Sequence, residues 1–119
     1  MQVHAITKNI RMSAQKMREV VRQIQGLPAL EAQAVLQVVP RKGARFVAKT
    51  LRSAMANAED LKAHKDEYRS MNIDALRVKE AVAQTATTLK RFTPKARGSA
   101  GPILKRNCHV KIVLTDEQE

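Results

Sequence analysis

The sequence predicts an α+β fold: three helices packed on a small antiparallel sheet with a long protruding β-hairpin. Three observations carry that prediction. Segments at about 71–82 and 108–114 alternate apolar and polar residues, as half-buried strands do. Ahead of them, three apolar stripes recur at helical spacing between Ser13 and Asp60. Finally, the stretch from Ala81 to Leu114 contains no Asp or Glu, although at 11 acids in 119 residues about three would fall in those 34 positions. It holds Lys90, Arg91, Lys95, Arg97, Lys105, Arg106 and Lys111, and from Ala83 to Ala100 its only large apolar side chains are Leu89 and Phe92. Such a segment buries too little apolar surface to offset its own ordering entropy. Flanked by strands, it reads as a hairpin that leaves the body and is ordered by a polyanion, RNA above all.

Taken in order, Val3–Ile10 alternates weakly and predicts a short strand or extended arm, with Lys8 and Arg11 beside it. Ser13 offers an N-cap hydroxyl to a helix whose stripe is Met17, Val20, Val21 and Ile24 and whose end is Gly26. Lys16, Arg18 and Arg22 take the other side; Arg18 and Arg22 repel at i,i+4, a cost that an external anion would offset. Pro28 opens a second helix, with Leu30, Ala34, Val35, Val38 and Val39 as its expected buried side. Its only charge is Glu31, so it is expected to lie largely in the interior. Pro40 ends it and opens the third helix, to about Asp60, whose apolar face is Ala44, Val47, Ala48, Leu51, Ala54, Met55 and Ala58. Arg41, Arg45, Lys49 and Arg52 draw a basic line along that helix, next to Lys42, with no acid from Ala32 to Ala58. A solvated face is one reading of the line and phosphate contact the other; the missing acids favour phosphate.

Leu61–Ser70 mixes both signs and reads as a solvated loop or frayed helix end. Met71–Val82 changes parity after Ala75, which predicts a strand with a bulge. The last strand places Cys108, Val110, Ile112 and Leu114 on one face and His109, Lys111 and Val113 on the other. The body is thus expected at about 1–80 and 108–119, in one domain, with the basic hairpin at about 81–107. Paired throughout, the hairpin would project roughly 35–45 Å at ~3.3 Å per residue. Gly98 and Gly101 give freedom near its tip, and Pro94 and Pro102 remove ladder donors.

Composition narrows the function. Twenty-two Lys and Arg against 11 acids give a formal charge of +11 and a pI near 10.4, a field that collects phosphates. One Tyr, two Phe and no Trp disfavour a base-stacking single-strand binder. Cys108 is alone, so no internal disulfide forms. No apolar run approaches a membrane span and Met1–Met12 has no signal-like core, so a cytoplasmic protein is expected. Paired carboxylates, a glycine-rich phosphate loop and a nucleophile motif are all missing, and His4, His64 and His109 lack metal-site spacing. No enzyme, metal or cofactor is therefore expected. His109 sits beside Lys105, Arg106 and Lys111 as either an RNA contact or a plain surface residue. Leu89 and Phe92 form either a small tip cluster or a base-stacking pair.

The blocks Ser13-Ala14-Gln15-Lys16-Met17-Arg18, Pro40-Arg41-Lys42-Gly43, Ser53-Ala54-Met55-Ala56-Asn57-Ala58, Thr88-Leu89-Lys90-Arg91, Pro94-Lys95-Ala96-Arg97-Gly98 and Lys105-Arg106-Asn107-Cys108-His109-Val110 together resemble the large-subunit ribosomal protein family L-twenty-two. The resemblance covers nearly the whole chain. It implies a small body on the outside of the large subunit and a β-hairpin that reaches through ribosomal RNA to line the nascent-peptide exit tunnel. It also implies roles in subunit assembly and, through tunnel shape, in macrolide sensitivity. Its implied tip is Lys90, Arg91, Phe92, Thr93, Pro94, Lys95, Ala96, Arg97, Gly98, Ser99 and Ala100, with Gly98–Ala100 near the constriction. Departures are Ala14 for a usual Pro, Ala86-Thr87 for Gly-Pro, Ser99 for Arg, and Asn107-Cys108 for Thr-Ser.

The expected partners are large-subunit ribosomal RNA, neighbouring ribosomal proteins and the nascent peptide, with no membrane and no small-molecule substrate. The expected RNA contacts are Lys8, Arg11, Ser13, Lys16, Arg18, Arg22, Arg41, Lys42, Arg45, Lys49, Arg52, Lys90, Arg91, Lys95, Arg97, Ser99, Lys105, Arg106, His109 and Lys111. The alternative is a free-standing regulator binding duplex DNA through a helix-turn-helix. Basic residues spread over the N-terminus, third helix and hairpin, rather than gathered on one helix, speak against it.

Overall fold

A computed structural model describes residues 1–116. The elements are β1 (Gln2–Ile10), α1 (Ala14–Val21), α2 (Ala29–Val38), α3 (Gly43–His64), β2 (Arg77–Thr85), β3 (Leu89–Pro94), β4 (Ala100–Lys105) and β5 (Cys108–Thr115), an α+β arrangement as expected. β5 is the central strand of an antiparallel sheet ordered β1-β5-β2, because its alternating Cys108, Val110, Ile112 and Leu114 give one continuous apolar face. All four are fully buried beneath the helices. α3 lies on β1 and β5, α1 lies on β2, and α2 packs outside α3. Val47, Leu51, Ala54 and Ala58 are the buried side of α3, and the alanines let the helix come close to the sheet. Thr50 is buried in the same face; its hydroxyl bonds the Phe46 carbonyl at 2.9 Å and the Thr7 hydroxyl at 2.6 Å, so it ties α3 to β1 without an orphaned group.

Several local expectations are corrected. α1 ends at Val21, not Gly26: Gln23 and Ile24 donate to the carbonyls three residues back, and the chain tightens into a turn. Gly26 closes that turn at φ 79°, where a side chain would be strained, and donates to the Val78 carbonyl at 2.9 Å. α2 is turned about its axis relative to expectation. Ala29, Ala32 and Leu36 are its buried residues, whereas Leu30 and Val38 are 68% and 79% exposed and Ala34 is exposed too. Ala32 is small enough for a close approach to the alanine-rich α3, Leu36 fills the core, and of the expected side only Val35 and Val39 pack partly against it. α3 begins at Gly43, because extended Val39 leads through Pro40 into a turn at Arg41 and Lys42, and it runs on to His64 as Leu61 packs on the core.

β2 starts at Arg77 rather than Met71. The Asn72 side chain accepts from Asp74 N–H at 3.1 Å and caps a 3₁₀ turn at Ile73–Ala75, which takes Met71–Leu76 out of the strand. The bulge lies between Val78 and Glu80, opposite Leu114 and Val113, leaving Lys79 as the extra residue.

β3 and β4 form a separate antiparallel ladder, Leu89 opposite Lys105 through Pro94 opposite Ala100. Pairing is interrupted at a neck of residues 86–88 and 106–107, bridged by Ala86 N–H to the Asn107 carbonyl (3.0 Å) and the Asn107 amide to the Thr87 carbonyl (3.1 Å). Beyond it the arm projects. The longest dimension, 67 Å, exceeds the second, 28 Å, by 39 Å. The radius of gyration is 17.8 Å, against about 13–14 Å for a compact chain of this length.

Candidate nucleic-acid interface

Four features converge where the arm meets the body: the end of β1, the start of α1, the turn before α3, and the return of the arm from β4. Together they enclose an open groove of about 970 Å³ lined by Arg11, Met12, Ser13, Gln15, Lys16, Glu19, Arg41, Lys42, Leu104 and Arg106. Among the described residues, five cations thus face one acid. Glu19 pairs with Arg41 at 3.3 Å, and both remain more than half exposed, so the pair neutralises little of the groove in water. Arg11 donates to the Arg106 carbonyl at 2.8 Å and so couples β1 to the arm's root. Ser13 accepts from Lys16 N–H at 3.4 Å as the N-cap of α1, which sets where Lys16 emerges.

The remaining expected contacts fall into three groups. On α3, Arg45, Lys49 and Arg52 are exposed on the side away from the sheet, continuing from Arg41 and Lys42 along the helix. Lys8 is exposed on β1, and Arg18 and Arg22 are exposed on or just after α1. Arg18 has a structural engagement as well, since its Nε donates to the Ala83 carbonyl of β2 at 3.2 Å. On the arm, Lys90, Arg91, Lys95, Arg97, Ser99, Lys105 and Arg106 are all exposed. The tip turn needs a left-handed backbone at Arg97 (φ 60°) as well as Gly98 (φ 73°). The Lys95 stem folds over Gly101, whose absent side chain makes room for it.

His109 and Lys111 lie on the sheet face away from the helices and are only half exposed. The His109 Nδ1 accepts Asn9 N–H at 3.0 Å, which leaves the ring proton on Nε2. Asn9 is at φ 58° in the β1 bulge, so the imidazole secures an irregular backbone position next to Lys8. Gln15 and Leu104 line the groove beyond the expected contacts; the return of the arm beside α1 brings them together, which no local spacing reveals.

The charge of the body is polarised along α3. Its start, near Arg41 and Lys42, is the arm end; near its finish the Asn57 amide donates to the His4 carbonyl at 3.1 Å, at the opposite end of the sheet. Glu59, Asp60, Asp66, Glu67, Asp74 and Asp116 gather at that far pole, where His64 meets Asp60 at 3.2 Å and Arg69 meets Asp66 at 2.9 Å. The groove and arm thus hold the dense cation cluster, whereas the far pole mixes its acids with Lys62, Lys65 and Arg69. Leu89, Phe92, Ile103 and Leu104 interrupt the arm's cations with exposed apolar surface; Phe92 is 77% exposed, so its ring caps no cluster. Cys108 is a buried thiol whose desolvation pushes its pKa up, the opposite of an activated nucleophile. Among the described residues no cluster of His, Cys, Asp or Glu could hold a metal ion, and no helix is long and apolar enough to cross a membrane.

Residues 5–115 match the family model described as ribosomal protein L22p/L17e. The chain is 49% identical over 116 residues to the large ribosomal subunit protein uL22 of Opitutus terrae, covering 98% of this chain and 96% of the relative. It is 41% identical over 118 residues to the uL22 protein of Akkermansia muciniphila, covering 99% of each. With the uL22 protein of Chloroflexus aggregans it shares 40% identity over 119 residues, 100% of this chain and 99% of that one. The chain belongs to the ribosomal protein L22p/L17e family.

Proposed function

We propose that this ribosomal protein is a structural, non-enzymatic constituent of the large ribosomal subunit that holds large-subunit RNA between its groove and its arm. It works in the cytoplasm, within the ribosome, beside other ribosomal proteins. The observation that carries the reading is the cationic surface from Arg41 and Lys42 through Arg106 to the exposed arm, with Glu19 as the one acid lining the groove among the described residues. Phosphates from separate RNA segments would be neutralised by Arg45, Lys49 and Arg52 on α3, by the groove, and by Lys90, Arg91, Lys95, Arg97 and Lys105 on the arm. RNA is read here by shape and phosphate more than by base edges.

The expected boundary near 81 moves to 86, because β2 pairs with β5 through Thr85 and buries Ala81 and Ala83. The working division is then a body of about 1–85 and 108–116, which folds by itself, and an arm of about 86–107, which RNA sets in place. The arm's tip, Lys90 to Ala100, would line the path of the nascent peptide, and the exposed Phe92 would meet either bases or that peptide. Family membership favours this reading over the duplex-DNA regulator.

The test is co-sedimentation with large subunits across a salt series. About seven phosphate contacts give a log–log slope of roughly −5 to −6, and replacing Arg11, Lys42 and Arg106 together by Gln flattens it by about 2. Equal affinity for duplex DNA and folded ribosomal RNA, or a slope unmoved by the triple replacement, would contradict the reading.

A further inference from the structure

The face of α2 turned away from the core carries an unpartnered apolar stripe. Leu30, Ala34 and Val38 recur every fourth residue along about 12 Å of helix. They lie opposite Ala29, Ala32 and Leu36, the residues α2 buries. No Lys or Arg occurs between Arg22 and Arg41, in a chain that has 22 of them, and the one charge on this helix is the exposed Glu31. A phosphate backbone gains nothing here. It meets no cation, it meets a carboxylate, and Leu30 and Val38 stay against a charged, hydrated surface. The same two side chains favour a partner that removes them from water.

Resting on the reading of the chain as a large-subunit constituent, we propose that the α2 stripe docks a second protein of that subunit. The partner would present an apolar segment with a Lys or Arg placed to meet Glu31. Two large side chains make too small a patch for a stable free complex. They suffice when RNA already holds both proteins, because the contact is then made at a high effective concentration. The docking therefore belongs to the assembled subunit.

The experiment places the photo-crosslinking residue benzoylphenylalanine at Val38, at Leu30, or at Arg45 as an RNA-facing control, and irradiates purified large subunits carrying each variant. All three positions are exposed, so the substitutions leave the core intact. The Val38 and Leu30 probes should each join one and the same large-subunit protein, identified by mass spectrometry, while the Arg45 probe joins ribosomal RNA. Adding Glu31→Lys should cut the protein adduct several-fold. Adducts of Val38 and Leu30 with RNA or with a second copy of this chain, or no adduct while Arg45 still reports RNA, would overturn the docking surface alone. Absence of all three variants from the subunit would overturn the constituent reading, and the docking surface with it.

Discussion

The body and the arm are built from the same chain on opposite terms. In the body, β5 and α3 bury Val47, Leu51, Ile112 and Leu114 completely, and the buried hydroxyl of Thr50 is hydrogen-bonded. In the arm, β3 and β4 pair with each other but have no third layer. Leu89, Phe92, Ile103 and Leu104 remain 37–77% exposed, and the cations beside them repel one another. Backbone pairing is present in both, so pairing is not what separates them. The lesson is that a two-stranded ribbon with no apolar layer relies on what surrounds it, whereas the three-stranded sheet under its helices carries its own stability.

The contrast is broken most severely by cutting into each region in turn. Leu51→Ala should cost about 2–5 kcal/mol of unfolding free energy, because it empties a fully buried position. Phe92→Ala on the arm should change it by less than about 0.5 kcal/mol. Thermal or urea unfolding of the two variants compares them directly, and equal losses would mean that the arm shares the core. A smaller effect is expected from His109→Ala, which deprives Asn9 N–H of its acceptor in the β1 bulge and should cost about 0.5–1.5 kcal/mol. Faster amide exchange at Asn9 is the readout, with the arm unchanged.

The smallest effect is electrostatic. Desolvation raises the Asp116 pKa, but the hydrogen bonds from the Met1 ammonium at 3.1 Å and from Asn72 N–H at 3.2 Å outweigh it and hold the carboxyl below its ordinary 3.8. A depressed carboxyl stabilises the fold above that ordinary value, and the contribution is lost as the pH falls through the folded one. Asp116→Asn should therefore lower stability at neutral pH and shallow its decline below about pH 4, as followed by acid titration of the far-ultraviolet signal. This too is a property of the body, at the pole away from the arm.

Much of this layout is legible in residue order. The alternation from Cys108 to Leu114 defines the central strand, and the acid-free stretch between the strands marks the arm. What sequence reading misses has identifiable causes. On α2 nearly every side is apolar, so periodicity does not choose the buried face; tertiary contacts do, with the Ala29 N–H bonded to the Leu76 carbonyl and Ala29, Ala32 and Leu36 turned inward while Leu30 and Val38 stay out. The late start of β2 follows from one side-chain cap at Asn72, which outcompetes extended pairing. The groove joins Arg11, Lys42 and Arg106 across more than 90 positions, and the turns that bring them together leave no periodic trace. The neighbours Lys105, Arg106 and Lys111 set His109 among cations, while its use as an acceptor for Asn9 depends on a bulge in a different strand.

The central claim is that the arm takes its order from RNA and the body from its own core. Hydrogen exchange of the free chain and of the chain within large subunits tests it directly. In the free chain the β5 amides, Cys108–Thr115, should be strongly protected and those of Leu89–Lys105 should exchange close to their intrinsic rates. In the subunit both should be protected. Arm amides as slow as those of β5 in the free chain would show that the ribbon stands without RNA, and would contradict the account.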